Sequence, residues 1–363
     1  MVCSYMRSYI RYILIICILA VVVVCPACTK DLPTVQNVIK EQQERTLEPL
    51  EIIISHNQNV NTPEDIAAHA MQSKLQELLG QQATVTVYAD YQMGSAREQI
   101  EAMQLGRIHI TIQSASIAAS FVDDMKVFLL PYLFSSNADE VKTILDSSLE
   151  KEALERIGMR ENTNGVSGLG LWFGGYKLFM FHGEDHKNIH SPADFQGLQI
   201  AVPDNALLEA QYRHWGAKTV AMDSVAVYGA LAQHIADGSE ATTAQIVSNY
   251  LYEVQHNIVQ AYHSPEIYVV LVDTAWFTSL PMEIQTVIIE AEQYGKEKLY
   301  EVLAKQEPLY LESISQIDGV QYYMLDEDAQ HIFRASVQSL YTEQLAGNAW
   351  QTEYVERLKE YFK

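Results

Sequence analysis

Three histidines, His182, His186 and His190, stand four residues apart in "HGEDHKNIH". On one helix face that spacing presents imidazoles to a zinc ion. Gly183 and Asn188 are poor helix formers, and Pro192 follows at once, so an exposed polar loop is the better reading. Gly168, Gly170 and Gly174 in "GLGLWFGG" miss the dinucleotide fingerprint by one residue. An aromatic strand follows them where a phosphate-binding helix is required. "GVSGL" around Ser167 lacks the last glycine of a nucleophile elbow. No spacing pairs carboxylates for acid–base work. The chemistry left is binding. Lys177 interrupts the apolar run "GGYKLFMF"; it either snorkels to solvent or points into a polar cleft. Trp172 and Tyr228 are amphipathic and suit a core or a cleft wall equally well. "GLQIAVPDN", residues 197–205, reads as a strand stopped by Pro203 beside Asp204 and Asn205, a place where ligand clefts open. Position 201, near that strand end, brings only a methyl group.

These residues need a frame. The chain has 363 residues, 48% apolar and 19% charged, which suits two soluble lobes with real cores. Its formal charge of −22 argues against nucleic acid, whose binding needs a basic surface. Arg7 and Arg11 precede the apolar run Tyr12 to Val24, the layout of a secretory leader. The run is too short for a spanning helix, which needs about 20 residues. "CPAC" follows and resembles a bacterial lipoprotein signal, with Cys28 as the lipidated new N-terminus; Cys25 and Pro26 depart from that pattern. Ordinary cleavage and a retained anchor are the other outcomes. Cys3, Cys17, Cys25 and Cys28 are the only cysteines, so the body carries no disulfide and no thiol nucleophile.

Residues 1–27 are thus expected to be a signal peptide and 28–49 a polar tether. The body alternates strands and helices twice over, which predicts an α/β fold in two lobes with a cleft between them. "EIIIS", "TVTVYA", "RIHITI", "LQIAV", "KTVAM" and "IYVVLVD" read as strands, and "GLWFGGYKLFMF" as a long strand or a hairpin. Thr62 with Pro63, and Ser95 with Glu98, read as helix starts. "VAVYGALAQHIADG" reads as a helix ending at Gly238, and Met93, Leu105, Leu129 and Leu130 as core. A further helix is expected near Ala138 to Ile157. After Pro281 a helix of about 25 residues, near 37 Å at 1.5 Å per residue, is long enough to brace both lobes.

Five segments at compatible spacing, "QMGSAREQIEAMQLGRIHITI", "VFLLPYLF", "SPADFQGLQIAVP", "GALAQHIADGSEA" and "LVDTAWFTSLP", together resemble the extracytoplasmic substrate-binding proteins of TRAP transporters, the DctP-like family. The resemblance covers roughly residues 50–305. It implies a two-lobed periplasmic-binding-protein-like fold with a long bridging helix, capture of a small-molecule solute by closure, and delivery to TRAP permease subunits in the membrane. It implies no catalysis and no cofactor. A solute sensor for a signalling receptor is the alternative, and a metal-dependent enzyme on a similar fold a more distant one. Lobe I is expected over 50–172 with 263–300, and lobe II over 173–262 with 301–363.

The resemblance also assigns cleft positions to Asn57, Gln58, Ser114, Trp172 and Lys177, and to Asn205, Ser224, Glu240 and Thr242. Members of the family typically carry an arginine where Ala201 stands, forming a bidentate pair with the ligand carboxylate. They usually carry another where Lys177 stands, and an asparagine at Ala241. Glu240 is retained. A carboxylate buried without a paired cation costs several kcal/mol. The departures therefore imply a weakly charged or neutral polar solute. Arg213 or His214 replacing the missing charge is the other possibility.

Overall fold

The computed structural model describes residues 49–158, 165–182 and 189–362. The expected leader, the tether up to Glu48 and Cys28 lie outside them, as does His186. In chain order the body contains β1 (Leu50–His56), α1 (Pro63–Leu79), β2 (Ala83–Tyr88), α2 (Ala96–Gln104), β3 (Ile110–Ser114), α3 (Ala115–Phe121), α4 (Ala138–Ile144), α5 (Ser148–Gly158) and β4 (Val166–Phe181). There follow β5 (Gln199–Val202), α6 (Ala206–His214), β6 (Lys218–Ala221), α7 (Ser224–Ala232), β7 (Gly238–Thr242), α8 (Thr243–Ser248), β8 (Asn257–Gln260) and β9 (Pro265–Asp273). The chain ends with α9 (Thr274–Ser279), α10 (Met282–Ser315), β10 (Gln321–Met324), α11 (Glu327–Ser336), α12 (Gln338–Gln344) and α13 (Ala349–Tyr361).

The strands join in the order β2-β1-β3-β9-β4-β7-β5-β6, with β8 pairing β4 and β10. β1 runs parallel to both β2 and β3 and lies between them. β9 is antiparallel to β3 and β4. β4 is one continuous strand, not a hairpin. Its residues up to Tyr176 pair with β9, and from Lys177 onward it pairs with β7 and β8. A register shift between Phe173 and Tyr176 marks the change of partner. The strand thus joins the two parts of the sheet, and Lys177 is its first residue paired with β7.

Burial explains the local choices. Ile52 and Ile54 of β1 are fully buried beneath Ala67, Met71 and Leu75 of α1. Thr62 caps α1 by accepting from Asp65 N, with Pro63 at its first turn. Ser95 and Glu98 form the expected capping box. Helix α10 spans 34 residues, about 51 Å at 1.5 Å per residue, and continues through Pro308. It lies so close to α1 and β4 that a Cβ on Gly295 would stand 3.1 Å from the Trp172 ring and 3.2 Å from the Ala67 carbonyl.

Several expectations are corrected. The helix near Ala138 to Ile157 is two helices, α4 and α5. Helix α7 stops at Ala232, because His234 adopts a left-handed φ of 55° and Gly238 already belongs to β7. Leu129 and Leu130 are buried, whereas Leu105 is 69% exposed at the end of α2. The last helix does not stay with the second half of the sheet. Trp350 Nε1 donates to Glu152 on α5, and Tyr354 Oη donates to the Leu149 carbonyl, so α13 docks on elements of the first half.

Candidate functional site

The ends of β1, β2 and β3 face the ends of β5 and β7 across a cavity of about 450 Å³. One bank carries Asn57, Gln58, Asp90, Tyr91, Gln113 and Ser114. The other carries Ala201, Asp223, Ser224, Ser239, Glu240 and Ala241. Lys177 and Glu266, from the strands that join the two halves, form the floor. Tyr91, Tyr228 and Tyr250 stand on the wall; Tyr91 and Tyr250 hold left-handed φ values of 58° and 55°, uncommon for bulky residues. Such a position beyond the strand ends, between two sheet segments, is where open α/β folds place ligands.

The floor is an ionic cluster. Lys177 Nζ lies 3.1 Å from Glu240 Oε1 and 3.3 Å from Glu266 Oε2, with all three side chains at most 6% exposed. Glu240 Oε2 accepts from Tyr212 Oη at 2.5 Å and meets His263 Nε2 at 2.9 Å. Ser114 Oγ donates to Glu266 Oε1 at 2.5 Å. Burial opposes the charge on Lys177, but the Glu266 and Glu240 carboxylates overcome it and hold the ammonium above its ordinary pKa. Burial likewise opposes ionisation of Glu240, yet Lys177 and the His263 bond hold it well below the usual carboxylate range. Burial pushes His263 down, more than its contact with Glu240 raises it. Lys177 neither snorkels to solvent nor waits unpaired for an anion.

Contacts also cross the cavity. Tyr91 Oη hydrogen-bonds Ser224 Oγ. Asn59 Nδ2 donates to the Ser248 carbonyl at 2.9 Å. Gln245 Nε2 donates to Gln58 Oε1 at 3.4 Å. Asp204 lies 3.8 Å from Arg97.

Of the nine positions assigned from sequence, six line the cavity: Asn57, Gln58, Ser114, Lys177, Ser224 and Glu240. Trp172 does not. It is fully buried under α10, where its Nε1 donates to Glu292 Oε1 at 2.6 Å. Asn205 is a staple: Oδ1 caps α6 through Leu207 N and Leu208 N, while Nδ2 donates to the Ser116 carbonyl at 2.9 Å. Thr242 is buried as the cap of α8, in a capping box with Gln245. Tyr228 is cavity wall. Arg213 pairs with Glu209, and His214 Nε2 lies 2.8 Å from the Ser336 carbonyl; neither lines the cavity. Ala201 does line it, and brings no charge there.

Sequence reasoning missed Glu266 on the floor, and Asp90, Tyr91, Gln113, Asp223, Ser239 and Tyr250 on the walls. Glu266 sits in "SPEIYVVLVD", where it reads as an acid at the start of a buried strand. An acid one residue into an all-apolar strand is the same signal that marked Lys177. Among the described residues no group of three or more His, Cys, Asp or Glu is arranged to hold a metal ion. His182 instead sets its ring 4.4 Å from that of His234.

Comparison with known proteins agrees with this geometry. The family described as bacterial extracellular solute-binding protein, family 7 (DctP), matches residues 54–348. The C4-dicarboxylate-binding periplasmic protein DctP of Vibrio cholerae is 29% identical over 241 residues, covering 66% of this chain and 70% of that protein. A TRAP periplasmic solute-binding protein of Shewanella oneidensis, solved with bound succinate, aligns with a TM-score of 0.79 at 24% identity, over 87% of this chain and all of that one. The periplasmic ectoine-binding protein of the Halomonas elongata TRAP transporter aligns with a TM-score of 0.80 at 22% identity, over 86% of this chain and 98% of that one. With the matched segment spanning both halves of the sheet and every wall of the cavity, the chain belongs to the DctP family of bacterial extracellular solute-binding proteins.

Proposed function

We propose that this chain is the extracytoplasmic receptor of a TRAP-type transporter for a small polar solute other than a simple carboxylate. The observation that carries the solute class is the saturated floor: the one lysine on the cavity wall among the described residues is already neutralised by Glu240 and Glu266. A ligand carboxylate placed there would meet fixed negative charge. Two like charges about 6 Å apart, at an effective dielectric near 20, repel by roughly 3 kcal/mol. Ala201 supplies no counter-charge.

Function is then capture without chemistry. A solute touching both banks favours the closed arrangement, and the cross-cavity bonds of Tyr91, Asn59 and Gln58 supplement it. The natural partners are TRAP permease subunits, reached from a membrane surface through acyl chains on Cys28. Each buried methylene of such a chain is worth about 0.8 kcal/mol.

X-ray scattering of the chain with and without solute tests capture by closure: the radius of gyration falls when solute is added. An unchanged radius with a solute shown to be bound contradicts closure. Metabolic labelling with an azido fatty acid tests the anchor: label appears on the parent chain and is lost in Cys28→Ser. Label retained in that variant refutes Cys28 as the site.

A further inference from the structure

The charge balance of the cavity points beyond exclusion of carboxylates. We infer that the solute is an organic cation of the ammonium class, held between the carboxylates and the tyrosine wall. This rests on the receptor reading above and specifies its ligand.

Among the described residues four carboxylates line the cavity, Asp90, Asp223, Glu240 and Glu266, against the single cation Lys177. Glu240 and Glu266 are tied to Lys177, but that cluster still carries one more carboxylate than cation. Asp90 and Asp223 stand on opposite banks, following β2 and preceding α7. Asp223 occupies the cap position of α7 yet makes no capping bond with its side chain. Its carboxylate is exposed at the cavity rim.

Unused hydrogen-bonding capacity on the wall has the same sense. Asn57 is more than nine-tenths buried; Nδ2 donates to the Gly94 carbonyl, while Oδ1 has no partner among the described residues. Ser239 Oγ is buried and unpartnered too. An unpaired buried acceptor such as Asn57 Oδ1 costs roughly 1–3 kcal/mol, whereas the Ser239 hydroxyl can donate or accept and selects no ligand charge. The faces of Tyr91, Tyr228 and Tyr250 add the aromatic surface that attracts a cation. A bare metal ion does not suit a space of about 450 Å³ whose acids are not gathered into a coordination group.

The test is calorimetry and thermal denaturation of the full chain with three sets of probes. Choline, ethanolamine and putrescine are the cations, glycerol and glucose the neutral set, succinate and D-glucuronate the acids. At least one cation should raise the melting midpoint and give a saturable binding heat, while the acids do neither. Asp223→Asn, at an exposed site outside the buried cluster, should weaken that cation at least fivefold, and added NaCl should weaken it further. Failure of every cation to bind overturns the assignment, as does equal binding to Asp223→Asn. Binding of a neutral or acidic probe with a fall in radius of gyration, and of no cation, removes the cation assignment and leaves the receptor reading standing. A bound cation that produces no such fall speaks against closure and leaves the ligand class intact.

Discussion

Replacing Lys177 with methionine removes the only positive charge between two buried carboxylates. Nζ lies 3.1 Å from Glu240 and 3.3 Å from Glu266, and none of the three side chains is more than 6% exposed. Methionine fills most of the volume, so lost packing contributes little. The cost is the uncompensated charge left behind, about 3–5 kcal/mol when one partner of a buried pair is removed. Total stabilities lie near 5–15 kcal/mol, so the loss is a large fraction of the whole. The sign with pH is fixed by the same geometry. In the parent, Glu240 is held below the ordinary carboxylate range, so its contribution is present above about pH 4.5 and fades as pH falls through its lowered value. Without Lys177 the burial of Glu240 is no longer offset by that charge and drives its carboxyl the other way. The deficit of Lys177→Met should therefore be greatest near pH 7 and shrink as pH falls to 4. Urea denaturation at the two pH values measures it. The triple variant that also carries Glu240→Gln and Glu266→Gln should recover most of the loss at pH 7. A deficit below 1 kcal/mol at neutral pH, or one equally large at pH 4, would refute the claim that Lys177 is committed to the two glutamates.

Three further outcomes follow from neighbouring observations. Ala201→Arg places a guanidinium on the cavity wall, so succinate should stabilise that variant to heat and leave the parent unaffected; no difference between them means position 201 does not face the ligand. Asn205→Ala loses both a helix cap and the bond to the Ser116 carbonyl, and should cost about 1–2 kcal/mol in urea titration; a change under 0.5 kcal/mol contradicts the staple. Burial pushes Glu292 up to about 8, against the Trp172 bond and Lys296 that lower it, and pushes Glu64 up to about 7. A raised carboxyl keeps its proton when folded, so stability should fall as pH rises from about 4.5 toward 8, by at most about 1.4 kcal/mol per pH unit for each group. Glu292→Gln should flatten that slope, and an unaltered slope assigns it elsewhere.

What could be read from the residues depended on whether a signal was local. Caps at Thr62 and Ser95, and the periods of the strands, are local and were legible. The length of β4 was not, because its change of partner at Tyr176 depends on β7, β8 and β9, which come later in the chain. α10 outran its expected end by nine residues because Pro308 does not stop it. At the site, an isolated charge in an apolar run marked Lys177, but its neutralisation by Glu266 required strands separated by nearly ninety residues to meet. Trp172 suited core and cleft wall equally by type, and only the resemblance placed it in the cleft. Its place was decided by Gly295 and Glu292 of α10, which make room for the indole and accept its N–H. Asn205 and Thr242 were named for a ligand and are occupied by helix ends, a common use of both residue types.

Native mass spectrometry of the chain purified from its own host tests the central claim most directly. The account predicts one retained small molecule per chain, carrying no free carboxylate as its principal charge and displaced when Ser224 and Asn57 are both replaced by bulky residues. A retained dicarboxylate or sugar acid would contradict it.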